Sequence, residues 1–235
     1  MENEDKILDK ITDSYYTDYT MITEYIIPVG KTIIGNSVFS HCIDLERLYI
    51  PWYVKKIPVS NFFEKKPNKH FGHHYQVTLQ ICGEKGTAAE QCAKDAGVRF
   101  FETDKWVQGN MLKAYFGRQE NVKIPEGIEI IRYKAFQYAP QVVSVEIPNT
   151  VKYIESEAFM GCELKEVRIP FGVIGFGSRV FKNCKNLQCV VFENGDTKLD
   201  DDCFLGCSDT LVVKAPSGGY VEKYAQKYQV KFESI

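Results

Sequence analysis

The chain has 235 residues, and its 29 Lys and Arg residues nearly balance 31 Asp and Glu residues, for a formal net charge of -2. This balance disfavours nucleic acid and anionic membranes as partners, because both attract strongly basic surfaces. No apolar run approaches the roughly 20 residues that cross a bilayer, so the sequence predicts no membrane span. Hydrophobic residues make up 44% of the chain, which is enough for a continuous core.

The N-terminal segment begins MENEDKILDK, which is acidic and polar. A secretory signal would instead begin with basic residues and continue into an apolar stretch. We therefore expect a cytoplasmic protein. Ile7, Leu8 and Ile11 follow at helical spacing, and we interpret residues 1–26 as an N-terminal cap.

From residue 27 onward, one pattern recurs every 22 or 23 residues. Each unit begins with Ile-Pro, places a small residue before Phe and a Cys or Ala three residues later, and ends in a Leu-x-x-Val run. The unit IPNTVKYIESEAFMGCELKEVR, from Ile147 to Arg168, shows every feature. Such self-similarity is typical of a solenoid, whose units bury their apolar faces against one another. The sequence predicts an α/β repeat solenoid with short strands and short helical turns, the latter at residues such as 156–162.

A longer duplication divides the chain into two arrays. The segment LQICGEKGTAAEQCAKDAGVRFFE, from Leu79, aligns without a gap to LVVKAPSGGYVEKYAQKYQVKFES, from Leu211. Each copy has the pattern of a Gly turn, an amphipathic helix and a strand, and we interpret both as caps over the open end of an array. The predicted domains are an N-terminal cap (1–26), a first array (27–78), a first cap (79–102), a connector or lead-in unit (103–123), a second array (124–210) and a C-terminal cap (211–235).

The repeated units resemble the BspA-like leucine-rich repeat family, whose repeats of this length carry Ile-Pro, Ala-Phe, Cys and Leu-x-x-Val positions. The resemblance extends from residue 27 to residue 235. It implies a right-handed superhelix used for adhesion or protein binding, commonly at a bacterial or protist surface. The resemblance therefore implies a cell-surface or secreted location, as an alternative to the cytoplasmic location that the N-terminus suggests.

Two clusters contain potential metal ligands. The first consists of His70, His73, His74, Cys82 and Cys92. The second is the acidic run Glu193, Asp196, Asp200, Asp201 and Asp202. The first cluster matches no closed zinc spacing, and the second lacks the D-x-D-x-D-G pattern of a calcium loop. We therefore predict no cofactor and interpret the clusters as an exposed polar loop and a solvated corner, with zinc at the histidines as the alternative.

The remaining cysteines suggest packing and not catalysis. Four of them lie three residues after a Phe: Cys42, Cys162, Cys184 and Cys207. Ala139 fills the same position, so we interpret these cysteines as small core residues. Cys189 lies where neighbouring units have Ser144 and Glu166, and we expect it to be the most exposed thiol. No nucleophile elbow, phosphate loop or dinucleotide fingerprint occurs in the sequence, and we predict that the chain is not an enzyme.

The outward positions of the strands form the predicted binding surface. If Val145 and Ile147 point into the core, the residue between them points outward, and stacking aligns such residues into columns. The predicted binding residues are Arg47, Tyr49, Lys123, Ser144, Glu146, Glu166 and Arg168. Mixed charge with an aromatic ring suits a protein or peptide partner, although a merely soluble sheet face has the same pattern. We predict a non-enzymatic protein- or peptide-binding module, with a self-assembling scaffold domain as the alternative.

Overall fold

The structure, a computed structural model, describes residues 10–11, 22–36, 38–39, 42, 44–62, 78–137 and 139–235. The chain divides into two compact units, residues Met1–Asp104 and Lys105–Ile235. Both units consist mainly of strands of two to five residues joined by tight turns. Short strands follow from the repeat, because the proline after each Leu-x-x-Val run cannot donate a hydrogen bond to a neighbouring strand.

The first unit contains one turn of 3-10 helix (Val59–Asn61) and one α-helix, α1 (Ala88–Ala96), in its described residues. Its described strands are β1 (Lys10–Ile11), β2 (Glu24–Ile26), β3 (Ile33–Ile34), β4 (Arg47–Tyr49), β5 (Gln80–Gly83) and β6 (Arg99–Glu102). Strands β2, β4, β5 and β6 form a parallel sheet in that order, and β1 pairs in parallel with β3. Parallel pairing is the geometry of a coil whose turns all run in the same direction.

The second unit contains the α-helix α2 (Tyr220–Tyr228) and a longer series of strands. The described strands are β7 (Lys105–Gln108), β8 (Met111–Tyr115), β9 (Asn121–Lys123), β10 (Ile130–Ile131), β11 (Ser144–Glu146), β12 (Tyr153–Ile154), β13 (Glu166–Ile169), β14 (Gly175–Phe176), β15 (Cys189–Phe192), β16 (Lys198–Leu199), β17 (Val212–Ala215) and β18 (Lys231–Ser234). Strands β7 and β8 form an antiparallel hairpin. We call β9, β11, β13, β15, β17 and β18 the front strands, and β8, β10, β12, β14 and β16 the back strands.

Front and back strands enclose one core in the second unit. Val145 of a front strand and Ile154 of a back strand both belong to it. Aromatic rings from successive turns stack through this core, with centroids 4.6 to 5.9 Å apart: Tyr115, Phe136, Phe159, Phe181, Phe204 and Tyr224. Each such pair adds about 0.5–1.5 kcal/mol to the free energy of burial. The recurring Phe is therefore the residue that joins one turn to the next.

The predicted helical turns are consecutive hydrogen-bonded turns and not helices. Glu157, just before the Ala-Phe pair, has a φ of 58°, which no right-handed helix accommodates. The corresponding residues of the other turns share this conformation, with φ between 56° and 59°: Lys134, Arg179 and Asp202. The backbone N–H of Glu157 donates to the carbonyl of Ser178 in the following turn at 3.0 Å. The backbone thus leaves the helical region in order to bond the next turn.

The two duplicated segments fold alike, each as a strand, a nine-residue helix and a second strand. In both helices a Glu of the first turn accepts a hydrogen bond from a glycine N–H: Glu90 from Gly86 at 2.8 Å, and Glu222 from Gly218 at 2.6 Å. The predicted solenoid with short strands is confirmed. The right-handed superhelix, the domain boundaries and the capping role of these segments stay predictions.

Asn61 is a fully buried polar residue in the core of the first unit. Its Oδ1 accepts hydrogen bonds from the N–H groups of Val38 and Phe39, at 2.6 and 3.4 Å. Its Nδ2 donates to the carbonyls of Gly35 and Pro58, at 2.9 and 2.8 Å. One amide group therefore satisfies four backbone groups where the chain turns.

We predict that Asn61→Ala lowers the free energy of unfolding of the first unit by about 2 kcal/mol, because it leaves buried backbone groups unsatisfied. Urea denaturation measures this in a Trp106→Phe background, in which the fluorescence of Trp52 reports on the first unit alone. Asn36→Ala is the matched control, since Asn36 accepts one exposed bond, from Ser60, among the described residues, and the loss of this bond costs within about 0.5 kcal/mol. Equal losses in both variants would contradict the assigned role of Asn61.

Candidate binding surfaces

The front strands carry five predicted binding residues in two adjacent columns. In the first column, Lys123 lies opposite Glu146, and Arg168 continues through Val191 and Lys214 on the following strands. Lys123, Glu146 and Arg168 are exposed, whereas Val191 is buried. Parallel in-register pairing places equivalent residues of successive turns side by side. Lys123 and Glu146 therefore lie side by side on an exposed surface, and Arg168 is exposed on β13, while their role in binding stays a prediction.

The cations Lys123 and Arg168 of this column form ion pairs with carboxylates of neighbouring turns. Lys123 Nζ lies 2.7 Å from Glu146 Oε1, and Arg168 Nη1 lies 2.8 Å from Glu193 Oε1. The hydrogen bond to Glu146 raises the pKa of Lys123. Ion pairs this exposed contribute little to stability, because water and salt screen them, so a partner that offers its own charges can replace them at little cost.

The second column contains Ser144, Glu166 and Cys189. Ser144 Oγ donates to Asn121 Oδ1 at 2.6 Å. Glu166 is exposed and lies opposite the partly exposed Cys189, and it forms no ion pair with any residue that the structure describes. This column is therefore polar and carries one carboxylate that is open to a partner.

In the first unit, the structure corrects one predicted binding residue. Arg47 is exposed and its Nη1 lies 2.7 Å from Glu24 Oε1, but Tyr49, which we expected on the surface, is only 4% exposed. Its neighbours in register, Ile26 and Cys82, are also buried, and all three lie outside the core cluster of this unit. Burial raises the pKa of the Tyr49 hydroxyl. The outward side of this sheet is thus apolar at Tyr49, and the prediction of an accessible ring is wrong.

Of the two candidate metal clusters, the histidine cluster can be compared with the structure only in part, whereas the acidic run lies entirely within the described residues. His70, His73 and His74 lie outside the described residues. Cys82 and Cys92 are buried, and burial raises the pKa of each thiol to about 12. In the described ranges, no three His, Cys, Asp or Glu side chains are placed to hold a metal ion.

The recurring cysteines are uncharged core residues. Cys42, Cys162 and Cys184 are buried and Cys207 is partly buried, while Cys189 is partly exposed. Cys184 Sγ donates to the carbonyl of Phe159 in the preceding turn at 3.1 Å, and burial raises its pKa to about 12. All eight cysteines of the chain are free thiols.

A groove of about 760 Å³ crosses the back strands of the second unit. Its lining includes the following residues: Tyr133, Tyr153, Ile174, Asp196, Lys198 and Asp200. The floor is formed by Gly175 and Gly177, where an added Cβ would lie 2.7 Å from Tyr153 Cδ1 and 2.4 Å from the Ser156 backbone nitrogen. Our prediction from the strand pattern missed this groove. The sequence feature that could have indicated the groove is the segment Gly175-Phe176-Gly177, which lacks the outward side chains that the neighbouring turns carry.

A sequence model described as "BspA type Leucine rich repeat region" matches residues 3–69 and 114–232, in six copies. The chain belongs to the BspA-type leucine-rich repeat family. The recurring Phe and Cys residues described above are thus framework positions of this BspA-type protein. No curated protein sequence matches it.

Solved structures similar to this BspA-type chain include bacterial leucine-rich repeat proteins. One from Eubacterium ventriosum is 19% identical, with 84% of this chain and 49% of that chain covered and a TM-score of 0.43. A leucine-rich cell surface protein from Faecalibacterium prausnitzii is 21% identical, with 88% and 59% covered and a TM-score of 0.32. The chain therefore spans less than two thirds of the length of either protein. Within its described residues, no helix has the length and apolar character needed to cross a membrane.

The burial of the thiols predicts the order in which they react. Cys189 should react first with a thiol reagent at about pH 8, because the buried thiols form too little thiolate and are shielded from the reagent. Cys162, Cys184 and Cys203 should react only on unfolding, since burial raises all three pKa values. Mass spectrometry of the labelled protein identifies the sites. A fast phase that persists in Cys189→Ser would refute this order.

Proposed function

We propose that this BspA-type protein is a non-enzymatic binding module that holds a protein or peptide on its front strands in the second unit. The observation that carries the proposal is the group of exposed charges Lys123, Glu146 and Arg168 on successive front strands, of which Lys123 and Glu146 lie in register. Charges of both signs at fixed spacing suit a partner with the complementary pattern.

The scaffold beneath this surface supports the proposal. Val145 and Val167, which alternate with the exposed residues on the front strands, are buried in the core of the second unit. Side chains that project from strands anchored in this way are held more precisely than side chains on loops. The front strands can therefore present Glu146 and Arg168 without a large ordering cost on binding.

A binding role also fits the chemistry of the thiols. An enzyme that uses a cysteine nucleophile needs a thiol with a lowered pKa. Burial instead raises the pKa of Cys189, the most accessible of the strand thiols, and desolvation acts in the same direction on Cys184 and Cys203. We propose a cell-surface or secreted setting for this module, as the family resemblance implies.

The test is affinity capture of partners from a lysate of the source organism, with quantification by mass spectrometry. The variant Lys123→Glu/Arg168→Glu should lose its specific partners by about tenfold or more, as expected when charges that face a partner are reversed. Lys55→Glu/Lys56→Glu is the matched control, because it changes the net charge equally at exposed residues of the first unit.

Three results are decisive. Loss of partners in the front variant alone, with an unchanged melting temperature, supports the proposal. Equal capture by the wild type and the front variant contradicts it. Recovery of the chain itself as the captured partner, together with concentration-dependent light scattering, would assign the alternative function of a self-assembling scaffold.

A further inference from the structure

The groove on the back strands exists because one turn lacks two outward side chains. Gly175 lies in register between Tyr153 of β12 and Lys198 of β16, and Gly177 follows at the next outward position. The equivalent positions of the preceding turn carry Tyr153 and Glu155. The resulting volume of about 760 Å³ lies within the range of small-ligand and peptide sites.

Exposed rings and one aliphatic side chain form the walls of this groove. Tyr133, Tyr153 and Ile174 are 53%, 46% and 50% exposed. The Tyr153 ring leans over Gly175, as the 2.7 Å distance from a Cβ at that glycine to Tyr153 Cδ1 shows. Tyrosine faces attract cations, and apolar side chains grouped in one depression mark an interaction site.

The charges of the groove leave two carboxylates open. Asp196 and Asp200 flank Lys198, and within the described part of the chain neither carboxylate forms an ion pair or accepts a hydrogen bond. Glu155 is already occupied, since Arg132 Nη1 lies 2.6 Å from its Oε1 and the Tyr133 N–H donates to its Oε2 at 2.8 Å. The Lys198 ammonium group lies 5.7 Å from the centroid of the Tyr220 ring. The groove therefore has unmatched negative charge beside aromatic faces.

We propose that this groove is a second binding site, which holds an extended peptide segment through an arginine side chain. A guanidinium group can stack on a tyrosine ring and form paired hydrogen bonds with a carboxylate, which an ammonium group cannot do in the same way. Tyr153 supplies the stacking surface, and Asp200 and Asp196 supply the carboxylates. Ile174 contacts an apolar residue next to the arginine.

This site is separate from the proposed front surface, because its residues lie on back strands or in the turns beside them. Phe176, between the two glycines, points into the core, and neither Lys123 nor Arg168 lines the groove. A variant of the front surface therefore leaves the groove intact. Failure of one proposal can be distinguished from failure of the other.

The experiment selects a phage-displayed library of random short peptides on the immobilised full chain. Enriched peptides should contain arginine next to an apolar residue. Their binding is then measured by fluorescence anisotropy, in which Asp200→Asn and Tyr153→Ala should each weaken binding by about tenfold, the size expected for one charge-assisted hydrogen bond or one cation–π contact. Replacing the arginine of the peptide by glutamate should abolish binding.

A third variant tests the geometry of the groove. Gly175→Ala keeps every charge but places a Cβ against the flexible Tyr153 ring, so it should weaken peptide binding and leave the melting temperature nearly unchanged. Asp209→Asn and Phe171→Ala are the matched controls, because both residues are exposed and neither lines the groove. Lys123→Glu/Arg168→Glu should bind the peptides as the wild type does.

The proposal is overturned if selection yields no enriched peptide, or if the enriched peptides lack basic residues. It is also overturned if Asp200→Asn and Tyr153→Ala bind the arginine peptides as tightly as the wild type. Enrichment of lysine peptides that bind as tightly as their arginine counterparts would refute the stacked guanidinium.

Discussion

The stack of buried aromatic rings sets the geometry on which the second unit depends. Phe136, Phe159 and Phe181 are fully buried, and their centroid distances of 4.6 and 5.6 Å are close to the ~4.8 Å between neighbouring strands. Rings can stack at this spacing only if the backbone follows the same path in every turn of the solenoid. The left-handed residue two positions before each of these Phe residues follows from this, because it directs its N–H toward the next turn at a conformational cost of about 1–2 kcal/mol.

Because the units stack regularly, each position in the repeat corresponds to a column of residues on the surface. Residues that share a place in successive units become neighbours across adjacent strands, which is why Lys123 meets Glu146. The same rule operates on the back strands, where Tyr153 meets Gly175. The two surfaces differ in their charges. Lys123 and Arg168 on the front strands pair with carboxylates of neighbouring turns, whereas Asp196 and Asp200 leave the groove with unmatched negative charge, so the two surfaces suit partners of different chemistry.

Periodicity predicts the core of this protein well because inward positions obey packing alone. Phe159 and Cys162 could be identified as core residues from their spacing, and both are buried. The burial of Tyr49 could not be predicted, since alternation along a strand does not show what covers an outward side chain. The turn at Glu157 was also misjudged, because helical spacing does not reveal a residue with positive φ. The pattern of side chains predicts which residues fill the core, but it does not predict the backbone conformation of the turns between the strands.

The groove shows why departures from a repeat are more informative than the repeat. Gly177 has a structural reason, because a Cβ there would lie 2.4 Å from the backbone nitrogen of Ser156. Gly175 has no such reason, since the three atoms nearest to its Cβ would all belong to the flexible ring of Tyr153, and a glycine within a strand costs about 0.5–1 kcal/mol. The preceding turn places Tyr153 at the same position without disturbing the fold. The fold therefore does not require a glycine at residue 175. The groove does require it, because a larger side chain there would fill the space beneath the Tyr153 ring.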